Sequence, residues 1–318
     1  MSRGQPVRTL FFGSGAFAVP ILEALHQGKQ TRVVGGVTAP DRPSGRRAEL
    51  APTPVALCAR ALGLPLVQPE RVRAASAIDE IAALEPELGV LADYGQIIPK
   101  GALELPRHGI LNVHPSLLPR HRGATPIQAT IAAGDPQAGV TIMLMDEGLD
   151  TGPIVSQETW VLEGNEIAPE LEAEAARRGA ELLSRSLEGW LDGTIRPVDQ
   201  APLLATLTRP LRRDDARLDW SKAAYELERL VRANEPWPGS FIETSQGRLG
   251  IITASVAASA PGDIPGQIVR LGDRPALATA DGRLVLEAVQ LAGRRAMSGD
   301  DFLRGKPGII GSSVAPGP

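Results

Sequence analysis

Short apolar runs alternate with longer stretches of helical spacing through the first half of the chain, and no other feature restricts the fold as much. The runs are 7–12, 32–38 and 88–92; between them Val19, Leu22 and Leu25, then Ile78, Ile81 and Leu84, recur with the spacing of a helix face. Strand, helix and strand in succession predict βαβ units and a parallel sheet, so the expected class is α/β. Segments 110–113 and 140–145 read as further strands. Ligands of open α/β sheets bind beyond the carboxyl ends of the strands, which puts the loops after Val113 and Met145 at a ligand site.

Past residue 168 the pattern changes. A long helix is expected over 169–191, with Pro169 in its first turn and Gly193 just past its end. A Pro-dotted stretch, 194–210, reads as a linker. A shorter helix follows Ser221, carrying Ala224, Leu227, Leu230 and Val231 on one face, and short alternating strands then cover 249–256, 267–269, 276–280 and 284–291. Such strands, separated by Gly and Pro, predict a small β-barrel. The expected organisation is therefore a domain over 1–193, a linker over 194–210 and a second domain over 211–318. A chain of 318 residues, 43% hydrophobic and 22% charged, has room for both cores.

Composition excludes several classes. The single cysteine, Cys58, rules out an internal disulfide, and its apolar helical surroundings suit packing rather than nucleophilic chemistry. The N-terminus lacks the apolar stretch of a signal peptide and no run reaches transmembrane length, so a cytoplasmic protein is expected. With no extended apolar stripe to drive assembly, the expected state is a monomer. A net charge of −4 argues against indiscriminate nucleic-acid binding. The charge is uneven, however: residues 1–206 hold 18 Lys and Arg against 24 Asp and Glu, whereas 207–318 hold 15 against 13. The mildly basic second part permits a polyanionic partner.

Chemistry concentrates in two segments punctuated by Gly and Pro. Asn112, His114 and Ser116 lie in G-I-L-N-V-H-P-S-L-L-P, and Asp150 in G-L-D-T-G. An amide donor, an imidazole and a carboxylate are what acyl transfer through a charged tetrahedral intermediate requires. Residues 112 and 114 are two apart on an expected strand, so their side chains share one face. Two other motifs point elsewhere. Gly13, Gly15 and Ala18 match the G-x-G-x-x-A of a dinucleotide fold, but the second strand runs into Thr38-Ala39-Pro40 without an acidic residue to hold a ribose, which leaves a tight turn. His108, His114 and His121 have neither helical ligand spacing nor a cysteine partner, and no metal is expected. The loop holding Arg42, Arg46 and Arg47 is either a solvated surface loop or a contact for phosphate oxygens.

The signature Asn112-x-His114-Pro115-Ser116-Leu117-Leu118-Pro119, followed by Arg122-Gly123, Pro126 and the Asp150 segment, resembles the formyltetrahydrofolate-dependent formyltransferases. The flanks add an acceptor. The loop from Pro40 to Arg46, the segment R-A-N-E-P-W-P-G from Arg232 and the segment A-G-R-R-A-M-S-G-D-D-F-L-R-G from Ala292 are similar to family members that act on methionyl-initiator tRNA. A family acceptor that is instead a small amine, glycinamide ribonucleotide or an amino-sugar nucleotide, is the alternative. The resemblance implies a Rossmann-like, mostly parallel sheet with helices on both faces, followed by an OB-like barrel. It further implies 10-formyltetrahydrofolate as co-substrate, near Tyr94, Gly95, Ile97, Ser116, Leu117, Leu118 and Pro119. Asn112 and a protonated His114 would stabilise the oxyanion, with Asp150 pairing with His114 and aiding proton transfer. For the tRNA, the implied contacts are Arg42, Arg46, Arg47, Arg294 and Arg295.

Overall fold

The structure is a computed structural model that describes residues 5–44 and 49–317. The chain runs first through β1 (Val7–Gly13), α1 (Ala18–Gln27), β2 (Thr31–Val37), a hairpin of β3 (Arg42–Ser44) and β4 (Glu49–Ala51), α2 (Pro54–Ala61) and β5 (Leu66–Val67). It continues with α3 (Ala75–Ala83), β6 (Leu88–Ala92), α4 (Lys100–Leu103), β7 (Ile110–His114), β8 (Arg122–Gly123), α5 (Pro126–Ala133), β9 (Gln137–Leu144), β10 (Ile154–Val161), α6 (Ala168–Leu191) and β11 (Leu207–Thr208). By its internal contacts the chain divides into two units. The first takes the residues up to Pro126 with Gln137–Trp160 and Glu172–Thr208; the second takes Ile127–Pro136, Val161–Leu171 and the residues from Arg209 onward. Residues 194–208, read from the sequence as linker, fall in the first unit.

Seven strands form the main sheet in the order β10-β9-β7-β6-β1-β2-β5. From β1 the chain steps outward through β2 to β5, then returns to β6 on the other side of β1 and steps on to β7. Right-handed crossovers place the helices of these two excursions on opposite faces of the sheet. Every residue of β6 and of β7 is buried, as a strand covered on both faces demands. That explains why β6 is an unbroken apolar run rather than an alternating one, and why Asn112 and His114 are the polar exceptions on β7.

One expectation needs correcting. The loops after Val113 and Met145 were both expected at carboxyl ends of parallel strands. β7 is parallel to β6, but β9 runs antiparallel to β7, pairing Leu111 with Leu144 and His114 with Thr141. The chain therefore leaves β9 beside the start of β7, and segment 145–153 must fold back to reach the far end.

The second unit contains α7 (Ala224–Ala233), β12 (Phe241–Thr244), β13 (Gly247–Ala257), β14 (Ile268–Leu271), β15 (Arg274–Ala278), β16 (Arg283–Leu291), β17 (Met297–Ser298) and α8 (Gly299–Gly305). Its antiparallel sheet has the order β12-β13-β16-β15-β14. The C-terminal segment bridges both edges of that sheet, Val314 to Thr244 of β12 and Ser313 to Gln267 beside β14, and so curls it into a small barrel. Leu227 and Val231 of α7 pack with Ile242, Leu249, Leu277, Leu284, Leu286 and Phe302 in its core. No helix among the described residues is long and apolar enough to cross a membrane.

Candidate active site

Asn112 and His114 stand two apart on β7, and both are buried, at 5% and 4% exposure. Their side chains meet Asp150, which arrives from the returning segment with φ of 52°. Asn112 Nδ2 donates to Asp150 Oδ1 at 3.2 Å, and the backbone N–H of Gly123 donates to Oδ2 at 2.7 Å. Oδ2 also faces His114 Nδ1 at 3.8 Å, too far for a hydrogen bond but close enough for strong electrostatic coupling. Asp150, which spacing alone could not bring to the Asn112 and His114 pair, thus meets both through one carboxylate.

The imidazole's other nitrogen decides its proton. His114 Nε2 lies 3.0 Å from the carbonyl oxygen of His121, and a carbonyl only accepts, so Nε2 carries the hydrogen and Nδ1 is the titrating atom. Burial pushes the His114 pKa below its ordinary value, while Asp150 and the His121 carbonyl pull it up and the His121 side chain pulls it down; burial wins. The direction of this shift favours a neutral ring at rest, where the sequence led to the expectation of an imidazolium.

Gly123 has to be glycine. Its φ is 103°, and a Cβ there would come within 2.3 Å of the carbonyl oxygen of Thr208 on β11, which pairs with β8. That close strap keeps the Gly123 N–H aimed at Asp150. More of the same segment holds the loop after β7: Thr206 Oγ1 accepts from the His121 N–H at 2.8 Å, and the Arg122 N–H donates to the Thr206 carbonyl at 2.9 Å. Sequence reading missed Gln200 and Thr206, because a Pro-dotted polar stretch carries no signal of what it touches.

The loop after β7 is built rigidly. Ser116 Oγ donates to the Arg120 carbonyl at 2.7 Å, and Thr141 Oγ1 donates to the Ser116 carbonyl at 2.6 Å. Thr141 Oγ1 in turn accepts from the Leu118 N–H and from Gln157, which also donates to the Leu118 carbonyl. The Leu118–Pro119 peptide is cis, Leu118 is buried, and Leu117 packs against Gly139. The loop after β6 leaves from the neighbouring strand. There Gly95 is exposed, Ile97 is 82% exposed, and Tyr94 is buried among Phe12, Ile98 and Met145. Tyr94 Oη has no hydrogen-bond partner, and burial drives its pKa up to about 12.

At the reversal point between β1 and β6, Asp93 adopts φ of 45° and lays its carboxylate on Gly15, where a Cβ would come within 1.6 Å of it. Close approach of a carboxylate thus accounts for the second glycine of the G-x-G-x-x-A match. Loss of solvent raises the Asp93 pKa, and burial together with the Asp93 charge raises that of Glu172.

Of the arginines singled out in the sequence, Arg42 lies on β3 and pairs with Glu70 at 2.6 Å on the surface. Arg46 and Arg47 lie outside the described residues. Arg294 and Arg295 are exposed in the turn between β16 and β17 of the second unit. Among the described residues no three His, Cys, Asp or Glu side chains gather as metal ligands.

Comparison with known proteins bears on this geometry. A family model described as Formyl transferase matches residues 7–187, and one described as Formyl transferase, C-terminal domain, matches residues 210–307. A methionyl-tRNA formyltransferase of Roseiflexus sp. (strain RS-1) is 42% identical over 95% of this chain and 93% of its own length. One of Thermus thermophilus is 42% identical over 98% of each. Among solved structures, an N-formyltransferase of Helicobacter canadensis in complex with folinic acid and dTDP-3-aminofucose aligns with a TM-score of 0.63 at 15% identity, over 88% of this chain and 98% of its own. HypX of Aquifex aeolicus in complex with tetrahydrofolic acid aligns with a TM-score of 0.59 at 16% identity, over 94% of this chain and 47% of its own. These two share the fold. The two domains matched in chain order, and relatives 42% identical along nearly the whole length, place the chain in the methionyl-tRNA formyltransferase family.

Proposed function

We propose that this chain is the enzyme that transfers the formyl group of 10-formyltetrahydrofolate to the α-amino group of methionyl-initiator tRNA. The observation that carries the reading is the single carboxylate of Asp150 held by Asn112 and Gly123 while facing the free nitrogen of His114, inside the domain matched as formyl transferase.

The chemistry follows from those contacts. The neutral amine attacks the formyl carbon, forming a C–N bond and leaving an ammonium nitrogen and an oxyanion on one tetrahedral centre. Asn112 spends one N–H on Asp150 and offers the other to the oxyanion. His114 Nδ1 takes the proton from the ammonium nitrogen, becoming the imidazolium that the resting burial disfavours and that Asp150 and the new oxyanion now favour. The same proton passes to N10 as the carbon–N10 bond breaks. Formyl-amine and tetrahydrofolate leave, and His114 is neutral again.

Folate would lie along the loops after β6 and β7, where Tyr94, Gly95, Ile97 and Ser116, Leu117, Leu118 and Pro119 are found. The orphaned Tyr94 hydroxyl in an apolar wall fits a heterocycle with a polar edge. The ligands named for the two structural neighbours support a folate. For the tRNA, Arg42 on β3, Arg46 and Arg47 of the same sequence segment, and Arg294 and Arg295 of the C-terminal domain, 211–318, would contact phosphates. A small amine remains the alternative acceptor, less supported because the relatives at 42% identity are named for methionyl-tRNA.

The test is formyl transfer from 10-formyltetrahydrofolate to methionyl-initiator tRNA, with glycinamide ribonucleotide and an amino-sugar nucleotide as rival acceptors. Preference for either rival would overturn the acceptor, and no transfer to any would overturn the reaction.

A further inference from the structure

Gln200 belongs to neither motif segment, yet one amide ties both. The residue is 8% exposed. Its Nε2 donates to the carbonyl oxygens of Asp150 at 2.8 Å and Gly152 at 2.7 Å. Its Oε1 accepts from Arg122 Nε at 3.0 Å and Nη2 at 2.8 Å. Both donors and both lone pairs of the amide are therefore used, and all four partners lie in the two segments that present the carboxylate and the N–H holding it.

We infer that Gln200 is a positioning residue for formyl transfer, fixing the Asp150 backbone so that its carboxylate keeps its place beside His114. The inference rests on the reaction proposed above. Asn112 and Gly123 hold only the tip of the Asp150 side chain, and a residue with φ of 52° needs its backbone held as well. Through Arg122, the same amide also anchors the residue next to Gly123, so carboxylate and donor are set against each other by one group. A displacement of about 1 Å at a reacting constellation costs roughly 100-fold in rate. The titratable groups acting on His114 are Asp150 and His121, and Arg122 is the charge facing Gln200.

Two variants separate positioning from mere packing. Gln200→Met keeps the volume and removes all four bonds. Gln200→Glu keeps an acceptor for Arg122, now as an ion pair, but loses both donors to the Asp150 and Gly152 carbonyls. Both should lower kcat by roughly 10- to 100-fold with each KM within about twofold. In Gln200→Met the His114 ring, followed by NMR titration, should also titrate at lower pH than in the wild type, because a displaced carboxylate supports the imidazolium less. Should Gln200→Met fail to fold, Gln200→Glu carries the test. Wild-type kcat in Gln200→Glu, or an unshifted His114 titration in folded Gln200→Met, overturns the inference. A wild-type chain that transfers no formyl group would instead defeat the reaction, and the His114 titration alone would then judge Gln200.

Discussion

Asp150→Asn is the sharpest perturbation of this site, because it changes charge with almost no change in shape. The wild-type carboxylate accepts from two N–H donors, one on each oxygen. An asparagine offers one oxygen and one NH2, so in either orientation one donor faces another donor. Electrostatics supplies the larger effect. At the 3.8 Å separating His114 Nδ1 from Oδ2, opposite unit charges attract by about 4 kcal/mol at an effective dielectric near 20. That corresponds to about three pKa units on His114, or roughly 1,000-fold in any step where the ring must carry a proton. The variant should therefore lose kcat by roughly 1,000-fold while KM for folate stays within a few-fold. NMR titration of the four histidines reads the cause directly, since the free protein is measured without the substrate amine. His114 in the wild type should titrate below its ordinary value, and in Asp150→Asn lower still. A kcat within tenfold of wild type, or a His114 that titrates at the wild-type pH or above, would refute the argument.

Gly123→Ala meets the Thr208 carbonyl at 2.3 Å with φ of 103°, so backbone strain and clash should together lower stability by about 2 kcal/mol or more, read as a fall in Tm, and kcat should fall with it. Because the His114 pKa is depressed in the folded state, the unfolded chain binds more protons between the folded value and 6.5. The stability associated with this ring is thus complete above pH 6.5 and is lost as pH falls through the folded value, so denaturation midpoints should decline over that window and His114→Gln should flatten the decline. The exposed pair of Arg42 with Glu70 is worth about 0–1 kcal/mol and yields readily to a phosphate. Arg42→Ala should accordingly weaken use of charged tRNA and reduce the log–log salt slope by about one; an unchanged slope would return Arg42 to an ordinary surface ion pair.

How far the sequence disclosed all this depends on whether a contact leaves a local trace. β6 and β7 are buried on both faces, so 88–92 is apolar throughout and 110–113 is apolar but for Asn112, which made both legible as strands. Asn112 and His114 were legible as a pair because strand geometry fixes residues two apart. Asp150 was legible as a type but not as a neighbour, since its approach depends on β9 running antiparallel to β7, and an apolar run does not record its direction. The burial of His114 was hidden for a related reason. A nearby carboxylate argues for a charged ring, but the outcome turns on how completely the ring is buried, which only the packed sheet determines. Gln200 is the extreme case. Two of its partners are main-chain carbonyls, present at every residue, so no side chain elsewhere in the sequence is marked as waiting for it. A motif search finds groups that react. Groups that place them through the backbone become visible only when the hydrogen bonds of the fold are traced.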